Sequence, residues 1–501
     1  MLMNLEHGLN ALKMRLEDGD PDVYLRFMTF ESRLLENIQE ERDFGIGESL
    51  RNDRARIMRE LNRLALTHCK VSFNDLCGRD ISPTVAKQEQ TSEPALPAQP
   101  PKIKFKTQLS RLINLEFEGR AFESPMGEIR STSRLPYSAD ELIAVLKALR
   151  TKKYDESRFN PAQREALKRL GLLSHSHFVP NLLAEVGQAL YNQLMADQMQ
   201  TAFLMALNQA RTAASTVALQ LRFDEQATEL ARYPWELLYY RRHLLPSQAV
   251  ELTRYISYPE APTPLAVSLP LRLLYITARP TNLTSLPLAS ERDTALQALQ
   301  PMVQKGHLHL DELSEPTYDA LLDYLDDHTP HILHFDGHGR FARHCARCDT
   351  GNYPHLVTCG ACGTSLFGAP QGYLAFEKGA IDRSVHWVSS DTLGHLFGPT
   401  LRLAMLSACD SGTVRGETLF GGVAPSLIQA GVPAVVATQL PISPQAATAF
   451  AKGFYRALAR FQSLPTAVNA GRRRLFSTKE WFIPVLYLRS LDEEGQLFVK
   501  P

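Results

Sequence analysis

Residues 331–339 read HILHFDGHG, and residues 401–412 read LRLAMLSACDSG. Each stretch begins as a largely apolar run, which is typical of a β-strand that is buried on both faces of a parallel sheet. Each then turns polar, the first into His338 and the second into Cys409. Sites in open α/β sheets lie beyond the carboxyl ends of the strands. If these strands are parallel neighbours, the two side chains project from one edge of the sheet.

The alternation of strands and helices extends through the rest of this half of the chain. Further predicted strands are the apolar runs at 271–278, 372–379 and 434–440. Predicted helices, recognised by the spacing of apolar residues, are the segments 289–304, 422–430 and 444–459. This alternation predicts an α/β sandwich with a mostly parallel sheet.

Composition excludes several classes of protein. The chain has 501 residues, of which 44% are hydrophobic and 22% charged, so global disorder and coiled coils are excluded. Lys and Arg together number 54, as do Asp and Glu, so the net charge gives no general attraction to nucleic acid or anionic membranes. No run of about 18 apolar residues and no signal peptide is present, so we expect a cytoplasmic protein without a membrane span.

The chain divides into four segments. Residues 1–77 repeat apolar residues at helical spacing, as in Leu9, Leu12 and Leu16, and predict a small all-α domain. Residues 78–101 are rich in proline and predict a flexible linker. We expect 102–269 to form a first part of the following region and 270–501 to form its core.

His338 and Cys409 are candidate catalytic residues. A thiolate is the nucleophile in cysteine peptidases, and a nearby imidazole both lowers the thiol pKa and donates a proton to the leaving amine. Taken singly, such a cysteine is usually a buried small hydrophobe, and such a histidine is usually structural. Their joint placement at two strand ends favours catalysis.

Four cysteines form a second constellation: Cys345, Cys348, Cys359 and Cys362. Two CxxC pairs allow four thiolates to bind one tetrahedral ion, and this predicts a structural zinc ribbon at 342–366. An odd total of seven cysteines in a cytosolic chain argues against a disulfide framework. The ribbon follows the His338 turn, so we expect it beside the active site. There it either shapes substrate access, receives an activator or staples a long loop.

With GGVAPSLIQAGVPAVVATQLPIS (421–443) and WFIPVLYLR (481–489), the two opening stretches resemble the CHAT family of caspase-like cysteine peptidases. YPWELLYY at 233–240 is similar to the lead-in before the CHAT core. The resemblance covers about 102–501 and implies a caspase-like three-layer sandwich. It also implies a catalytic pair of His338 and Cys409, with an oxyanion hole formed by the backbone N–H groups of Gly339 and Cys409.

Acidic residues near this pair are candidates for an S1 pocket that binds the P1 side chain. They are Asp336, Asp410 and Glu417. A small residue is common in the family where Asp336 stands, and we interpret Asp336 as a turn-forming residue. The sequence does not choose among the three, so the P1 preference stays open.

Residues 1–77 resemble the effector-associated, death-fold-like helical modules of bacterial conflict-system proteins. The resemblance implies an adaptor that recruits a partner or self-associates, with a plain helical appendage as the alternative. Together the two resemblances imply a bacterial endopeptidase that acts in antiviral defence or programmed cell death. A gasdermin-like protein is one substrate that they imply.

Basic clusters keep other functions in view. Arg340, Arg343 and Arg347 lie beside the ribbon, so a zinc-ribbon nucleic-acid sensor is one alternative, although no interleaved aromatic residues support it. The run 472–474, RRR, is interpreted as structural or as a solvated helix face. A catalytically silent caspase-like scaffold is another alternative. A nucleotide-binding protein is not expected, because the chain has no GxxxxGK[ST] loop.

Overall fold

A computed structural model describes scattered residues between 9 and 73 and most residues between 101 and 500. The longest gaps in the second range are 147–160 and 408–422. The chain divides into two compact units, Met1–Pro97 and Ala98–Pro501. The boundary between the units falls within the predicted linker, 78–101, of which residues 78–100 lie outside the described part of the chain.

The first unit has its own hydrophobic cluster. Among the described residues of this unit, all those with regular secondary structure are helical. The cluster consists of Leu9, Leu12, Leu16, Val23, Phe27, Leu34, Ile57, Leu61, Leu64, Ala65 and Phe73. The predicted apolar positions that are described therefore face one small core, as a helical module requires.

The first part of the second unit combines β-strands with α-helices. Its strands are β1 (Ile103–Ile113), β2 (Glu116–Glu123), β3 (Ile129–Arg134), β4 (Leu173–Ser174), β5 (His177–Phe178), β6 (Val217–Phe223), β7 (Tyr239–Tyr240), β8 (Arg242–His243), β9 (Val250–Ile256) and β10 (Leu265–Ala266). Its α-helices are α1 (Pro161–Arg169), α2 (Leu182–Leu194) and α3 (Gln198–Thr212). Short 3-10 helices span Glu225–Arg232 and Trp235–Leu237.

The rest of the second unit follows the predicted alternation closely. Its strands are β11 (Leu271–Thr277), β12 (Leu308–Glu312), β13 (Ile332–Asp336), β14 (Gly339–His344), β15 (Gly351–Asn352), β16 (Gln371–Glu377), β17 (Val385–Ser389), β18 (Leu403–Ser407), β19 (Ala434–Thr438), β20 (Pro484–Arg489) and β21 (Phe498–Val499). Its helices are α4 (Ala289–Gln304), α5 (Tyr318–Asp327), α6 (Ser390–Leu396), α7 (Val423–Gln429), α8 (Pro444–Leu458) and α9 (Leu464–Arg473). No helix in the described part of the chain has the length and apolar character that a membrane crossing requires.

One large sheet runs through the whole second unit. Its eleven strands lie in the order β12-β11-β13-β18-β19-β20-β9-β6-β1-β2-β3. Seven of the ten pairings are parallel, and β19–β20, β1–β2 and β2–β3 are antiparallel. The helices pack as separate groups, α8 with α4 and α9, and α6 with α7. The predicted α/β class with a mostly parallel sheet is confirmed.

A second, four-stranded sheet differs from the prediction. The run at 372–379 forms strand β16 as expected, but β16 lies in an antiparallel sheet of order β15-β14-β16-β17. The pattern of strands and helices could not predict this second sheet, because a buried antiparallel strand and a buried parallel strand have the same kind of apolar run. Strand β16 is buried from Gly372 to Glu377, and the backbone of Gly372 packs against Val423 at the start of α7.

A buried ion cluster joins the two parts of the second unit. Glu236, from the YPWELLYY stretch, is fully buried and pairs with the buried Arg254 on β9. Arg472 Nη2 lies 3.6 Å from the Glu236 carboxylate and donates to the Pro484 carbonyl at 2.7 Å. Burial lowers the pKa of Arg472 to about 10. Arg472, the first arginine of the basic run, is therefore structural. Removing one partner of a buried ion pair costs about 3–5 kcal/mol of stability.

Candidate active site and metal centre

The two strands that decide the fold are neighbours. Strands β13 and β18 pair in parallel, with Asp336 opposite Ser407. The Gly337 N–H donates to the Ser407 carbonyl at 3.2 Å and extends the pairing by one residue. His338 therefore follows its paired residue by two positions, and Cys409 follows its own by two. Cys409 itself lies outside the described residues, as do the S1 candidates Asp410 and Glu417.

The main chain around His338 is fixed on both sides. The His338 carbonyl accepts a hydrogen bond from the Ala375 N–H at 3.0 Å. Gly339 faces Leu374, and since hydrogen-bonded and non-hydrogen-bonded pairs alternate in antiparallel strands, the Gly339 N–H points away from β16. A Cβ atom on Gly337 would lie 2.7 Å from the Phe335 ring and 3.2 Å from the Ala278 carbonyl oxygen, so a side chain there would require the ring to shift. The turn is thus tightly packed, and Gly339 directs a donor out of the ladder.

Asp336 is already engaged within the protein. It is buried at the end of β13, and its carboxylate accepts from Arg279 Nη2 at 2.8 Å. Arg279 Nη1 also donates to the Asp336 carbonyl at 2.7 Å. This pairing favours the structural interpretation of Asp336 over direct contact with a P1 side chain.

Sequence reasoning missed the charged residues around Asp336. Arg279 stands two residues after the end of β11, and its N–H donates to Glu377 Oε1 at 3.0 Å. Arg383 Nε donates to the other Glu377 oxygen at 2.6 Å. Burial opposes ionisation of Glu377, but Arg383 and the Arg279 N–H hold its pKa below the usual value. The signal was present, because Arg279 follows the carboxyl end of a buried strand, as His338 and Cys409 do.

The four predicted cysteines come together. Their Sγ atoms all lie within 4.8 Å of one another, and the Cys345–Cys362 and Cys348–Cys359 pairs lie 3.6 and 3.5 Å apart. A tetrahedral zinc ion with Zn–S bonds of 2.3 Å needs sulfur atoms roughly 3.8 Å apart. The donor set therefore fits one Zn²⁺, held by Cys345, Cys348, Cys359 and Cys362. Four thiolates complete its coordination, so the ion would supply structure rather than catalysis.

The two CxxC pairs form matching turns. The Cys345 N–H donates to the Thr350 carbonyl at 3.0 Å, and the Cys359 N–H donates to the Thr364 carbonyl at 2.8 Å. Backbone N–H groups within the second turn, chiefly that of Cys362, lower the pKa of Cys359 to about 6. The repeated spacing C-x-x-C-x-T, visible in CARCDT and CGACGT, was the sequence signal for this symmetry.

Asn352 links the two turns, and sequence reasoning missed it. Its buried side chain donates to the Thr350 carbonyl at 2.9 Å and to Cys359 Sγ at 3.6 Å. Its Oδ1 accepts from the Gly360 N–H at 2.9 Å. Such outer contacts orient metal ligands and raise metal affinity.

The ribbon and His338 lie at opposite ends of one hairpin. Strand β14 runs from Gly339 to His344, so about 20 Å separates the Gly339 end from Cys345. The Arg340 guanidinium lies over the Trp387 ring at 3.9 Å, and a Cβ on Gly351 would lie 2.6 Å from it. The His344 ring packs near Tyr373, with centroids 5.7 Å apart, and is half-buried. The ribbon therefore lies at the far end of β14 from the His338 turn, whereas the sequence had led us to expect it beside the active site.

Comparison with known proteins gives one family match. The CHAT domain family matches residues 184–485. No curated protein matches the sequence. Among solved structures, the Arg specific cysteine proteinase gingipain R is 11% identical, with a TM-score of 0.35, over 60% of this chain and 68% of that one.

Separase, solved in the Saccharomyces cerevisiae separase–securin complex, is also similar at 11% identity and a TM-score of 0.40. That match covers 77% of this chain and 30% of the separase chain. A complex of Porphyromonas gingivalis RgpB pro- and mature domains is 12% identical, with a TM-score of 0.33, over 60% of this chain and 70% of that one.

Proposed function

The chain belongs to the CHAT domain family, and from this premise we propose that it is a cysteine endopeptidase that cleaves a partner protein. Family membership supports a cysteine peptidase. The observation that carries the proposal is the register of β13 and β18, with Asp336 opposite Ser407. In this register, His338 and Cys409 each follow the last paired residue of a neighbouring parallel strand by two positions.

In the proposed mechanism, the Cys409 thiolate attacks the carbonyl carbon of a substrate peptide bond. His338, as an imidazolium, donates its proton to the departing amine, and a thioester remains on Cys409. His338 then accepts a proton from a water molecule as that water attacks the thioester and releases the second product. The same imidazole therefore acts first as an acid and then as a base.

The tetrahedral intermediate carries an oxyanion, which needs donors in place before the reaction. We assign this role to the backbone N–H groups of Gly339 and Cys409. The outward direction of the Gly339 N–H supports the first assignment. The close packing around Gly337 supports a turn that keeps its shape when substrate binds.

The S1 pocket would be lined by acidic residues. Asp410 and Glu417 remain the candidates there, because Asp336 is paired with Arg279. An acidic pocket of this kind favours a basic P1 side chain.

The ribbon would hold a structural zinc ion, which keeps the far end of the β14–β16 hairpin folded. A nucleic-acid-binding role for the ribbon is the weaker alternative. The Arg340 guanidinium packs on the Trp387 ring and is therefore already engaged within the protein. A structural role for the metal agrees with its four thiolate ligands.

Regulation is assigned to residues 1–77. This segment lies in a compact unit of its own, which suits a tethered module that recruits an adaptor or a second copy. Assembly would switch on cleavage in the cytoplasm during bacterial defence or programmed cell death. A gasdermin-like pore-forming protein is the substrate class that fits this role.

The test compares wild type with Cys409→Ala, each expressed with the products of neighbouring genes, by mass spectrometry of N-terminal peptides. We expect new N-termini with wild type alone, and the residue before each cut identifies the S1 preference. Cys69→Ala, which removes a thiol in the first unit, is the matched control and should cleave like wild type. Identical N-termini in wild type and Cys409→Ala, with each candidate activator present, would identify a silent scaffold instead.

A further inference from the structure

We propose that Arg279 is a positioning residue that holds the end of β13 so that His338 meets Cys409. This inference rests on the proposed peptidase function and deepens it. We call Arg279, Asp336, Glu377 and Arg383 together the Arg279 clamp.

The guanidinium of Arg279 binds main chain and side chain at once. Nη1 donates to the carbonyls of Asp336 at 2.7 Å and Ala278 at 3.0 Å. Nη2 donates to Asp336 Oδ2 at 2.8 Å. These bonds fix the residue that stands two positions before His338, in both its backbone and its carboxylate. A planar fork of donors can make them together, whereas a lysine ammonium cannot reproduce that geometry.

The arginine is itself held in place. Its backbone N–H donates to Glu377 Oε1 at 3.0 Å, and Arg383 donates to both oxygens of Glu377, at 2.6 and 2.9 Å. Glu377 ends β16, the strand whose Ala375 N–H binds the His338 carbonyl. The His338 turn is therefore held from β11 through Arg279 and from β16 through Ala375.

Charge and burial explain why the clamp needs all its members. The Asp336 and Glu377 side chains are only 5% and 4% exposed, and two arginines balance their two negative charges. Removing Arg279 would take this ion pair away from the buried Asp336 carboxylate. Loss of one partner from a buried ion pair is strongly destabilising, so we expect the adjoining turn to lose its fixed position. Asp336→Asn keeps an oxygen acceptor and the main-chain bond, so it should disturb the turn less.

The alkylation rate of Cys409 reports the Cys–His pair without a known substrate. The full-length protein is treated with iodoacetamide at pH 5 to 9, and the peptide that contains Cys409 is quantified by mass spectrometry. A thiolate paired with an imidazolium persists well below the usual thiol pKa of about 8.5. We expect wild type to react at pH 6 and His338→Ala to lose that reactivity.

For the clamp, we expect Arg279→Ala to react at pH 6 at least about tenfold more slowly than wild type. Arg279→Lys should recover part of the loss. The matched control is Arg292→Ala. It removes an arginine on α4 that pairs with Glu312 on β12, and this variant should react like wild type. Hydrogen exchange of the β13 amides shows which variants fold. If Arg279→Ala does not fold, the alkylation rate of Arg279→Lys is compared with that of wild type instead.

Three results would overturn the proposal in different ways. Equal reactivity of wild type and folded Arg279→Ala at pH 6 would show that His338 needs no clamp. An unchanged alkylation profile in Arg279→Ala, together with the loss of cuts after one class of P1 residue in the N-terminal peptide experiment, would make Arg279 a substrate contact. An identical profile for wild type and His338→Ala would remove the Cys–His pair itself, and the proposed peptidase function with it.

Discussion

The two ends of the β14–β16 hairpin are built in opposite ways. At the ribbon end, four thiols, two threonines and Asn352 come from one stretch, 345–364. Among the described residues, three of these cysteines form a small apolar cluster with Leu356 and Leu366. At the other end, the His338 turn draws partners from β11, β16 and β18 and rests on the main core of the second unit. Contacts between residues close in sequence therefore build the ribbon end of the hairpin, and contacts between residues distant in sequence build the other end.

The difference teaches what each end depends on. A local cage with few apolar contacts cannot stabilise itself, so the ribbon should need its metal to fold. The His338 turn is held by the sheet and should keep its shape whether or not the ribbon is folded. The two ends should therefore fail independently, and the predictions below for Cys359, His338 and Asn352 measure that independence.

The largest effect is expected at the ribbon. Cys359→Ser should abolish metal binding, and with it a folding free energy on the order of 10 kcal/mol that is local to the ribbon. Metal content, measured by mass spectrometry, should fall, and amides within 345–366 should exchange rapidly. Amides of β13 and β18 should stay protected. Cys69→Ser is the control, and loss of protection in β13 would mean that the two ends share one stability.

The next effect is expected at the other end. His338→Ala should reduce cleavage by about 10³-fold, within the range typical of a lost acid–base group. Metal content should not change. His309→Ala, which removes an exposed imidazole beside Asp311 on β12, is the matched control and should retain activity. A variant that lost metal along with activity would contradict the independence of the two ends.

Acid should weaken strand β13, which leads into the His338 turn. His334 on β13 is buried, its Nδ1 lies 3.0 Å from the Tyr455 hydroxyl, and burial lowers its pKa to about 3. The unfolded chain binds a proton below about pH 6.5 while the folded chain does not, so stability falls as the pH drops from about 6.5 towards 3. Between pH 7 and pH 5 this removes about 2 kcal/mol.

Hydrogen exchange of the β13 amides measures this loss. Wild type should lose protection between pH 7 and pH 5, after correction for intrinsic exchange rates, and His334→Gln should lose less. His309→Gln should behave like wild type. If His334→Gln were as acid-sensitive as wild type, another group would control the strand.

The smallest effect is expected at Asn352. Asn352→Ala removes a donor to Cys359 and the link between the two turns, and should weaken metal binding about tenfold. A competition titration with a chromogenic chelator measures this affinity. Asn192→Ala, which removes an exposed amide on α2, is the control. Alkylation of Cys409 should not change, and a change would show that the ribbon influences the His338 turn.

The same contrast explains what the sequence could predict. That the four cysteines come together was predicted from the sequence, because their spacing is local and a CxxC pair has few other uses. The position of His338 just beyond a buried strand was predicted because a strand and its end are local too. The catalytic role of His338 stays a prediction. Arg279 and Glu377 were missed, because they reach the turn only after β11, β13 and β16 have assembled. The one local signal was the position of Arg279 after a buried strand, and it did not indicate which residues Arg279 would contact.

The large sheet shows the same limit. Each strand from β11 to β19 that lies in it was predicted from its apolar run, except β12, whose alternating LHLDE lacks one. The placement of β16 in a separate antiparallel sheet was not predicted, because strand direction depends on the connection and not on the run itself.

Strand β20 has a consequence for how the protein is made. It lies between β19 on one side and β9 on the other, so five strands, β3-β2-β1-β6-β9, join the other five only through residues 484–489. A ribosome releases β9 more than 200 residues before β20. Until β20 has been synthesised, the nascent chain holds two half-sheets, and the edge strands β19 and β9 both lack the strand that pairs with them in the finished protein. A stop codon before residue 484 would leave those edges open to other chains, and aggregation rather than a smaller enzyme would be its product.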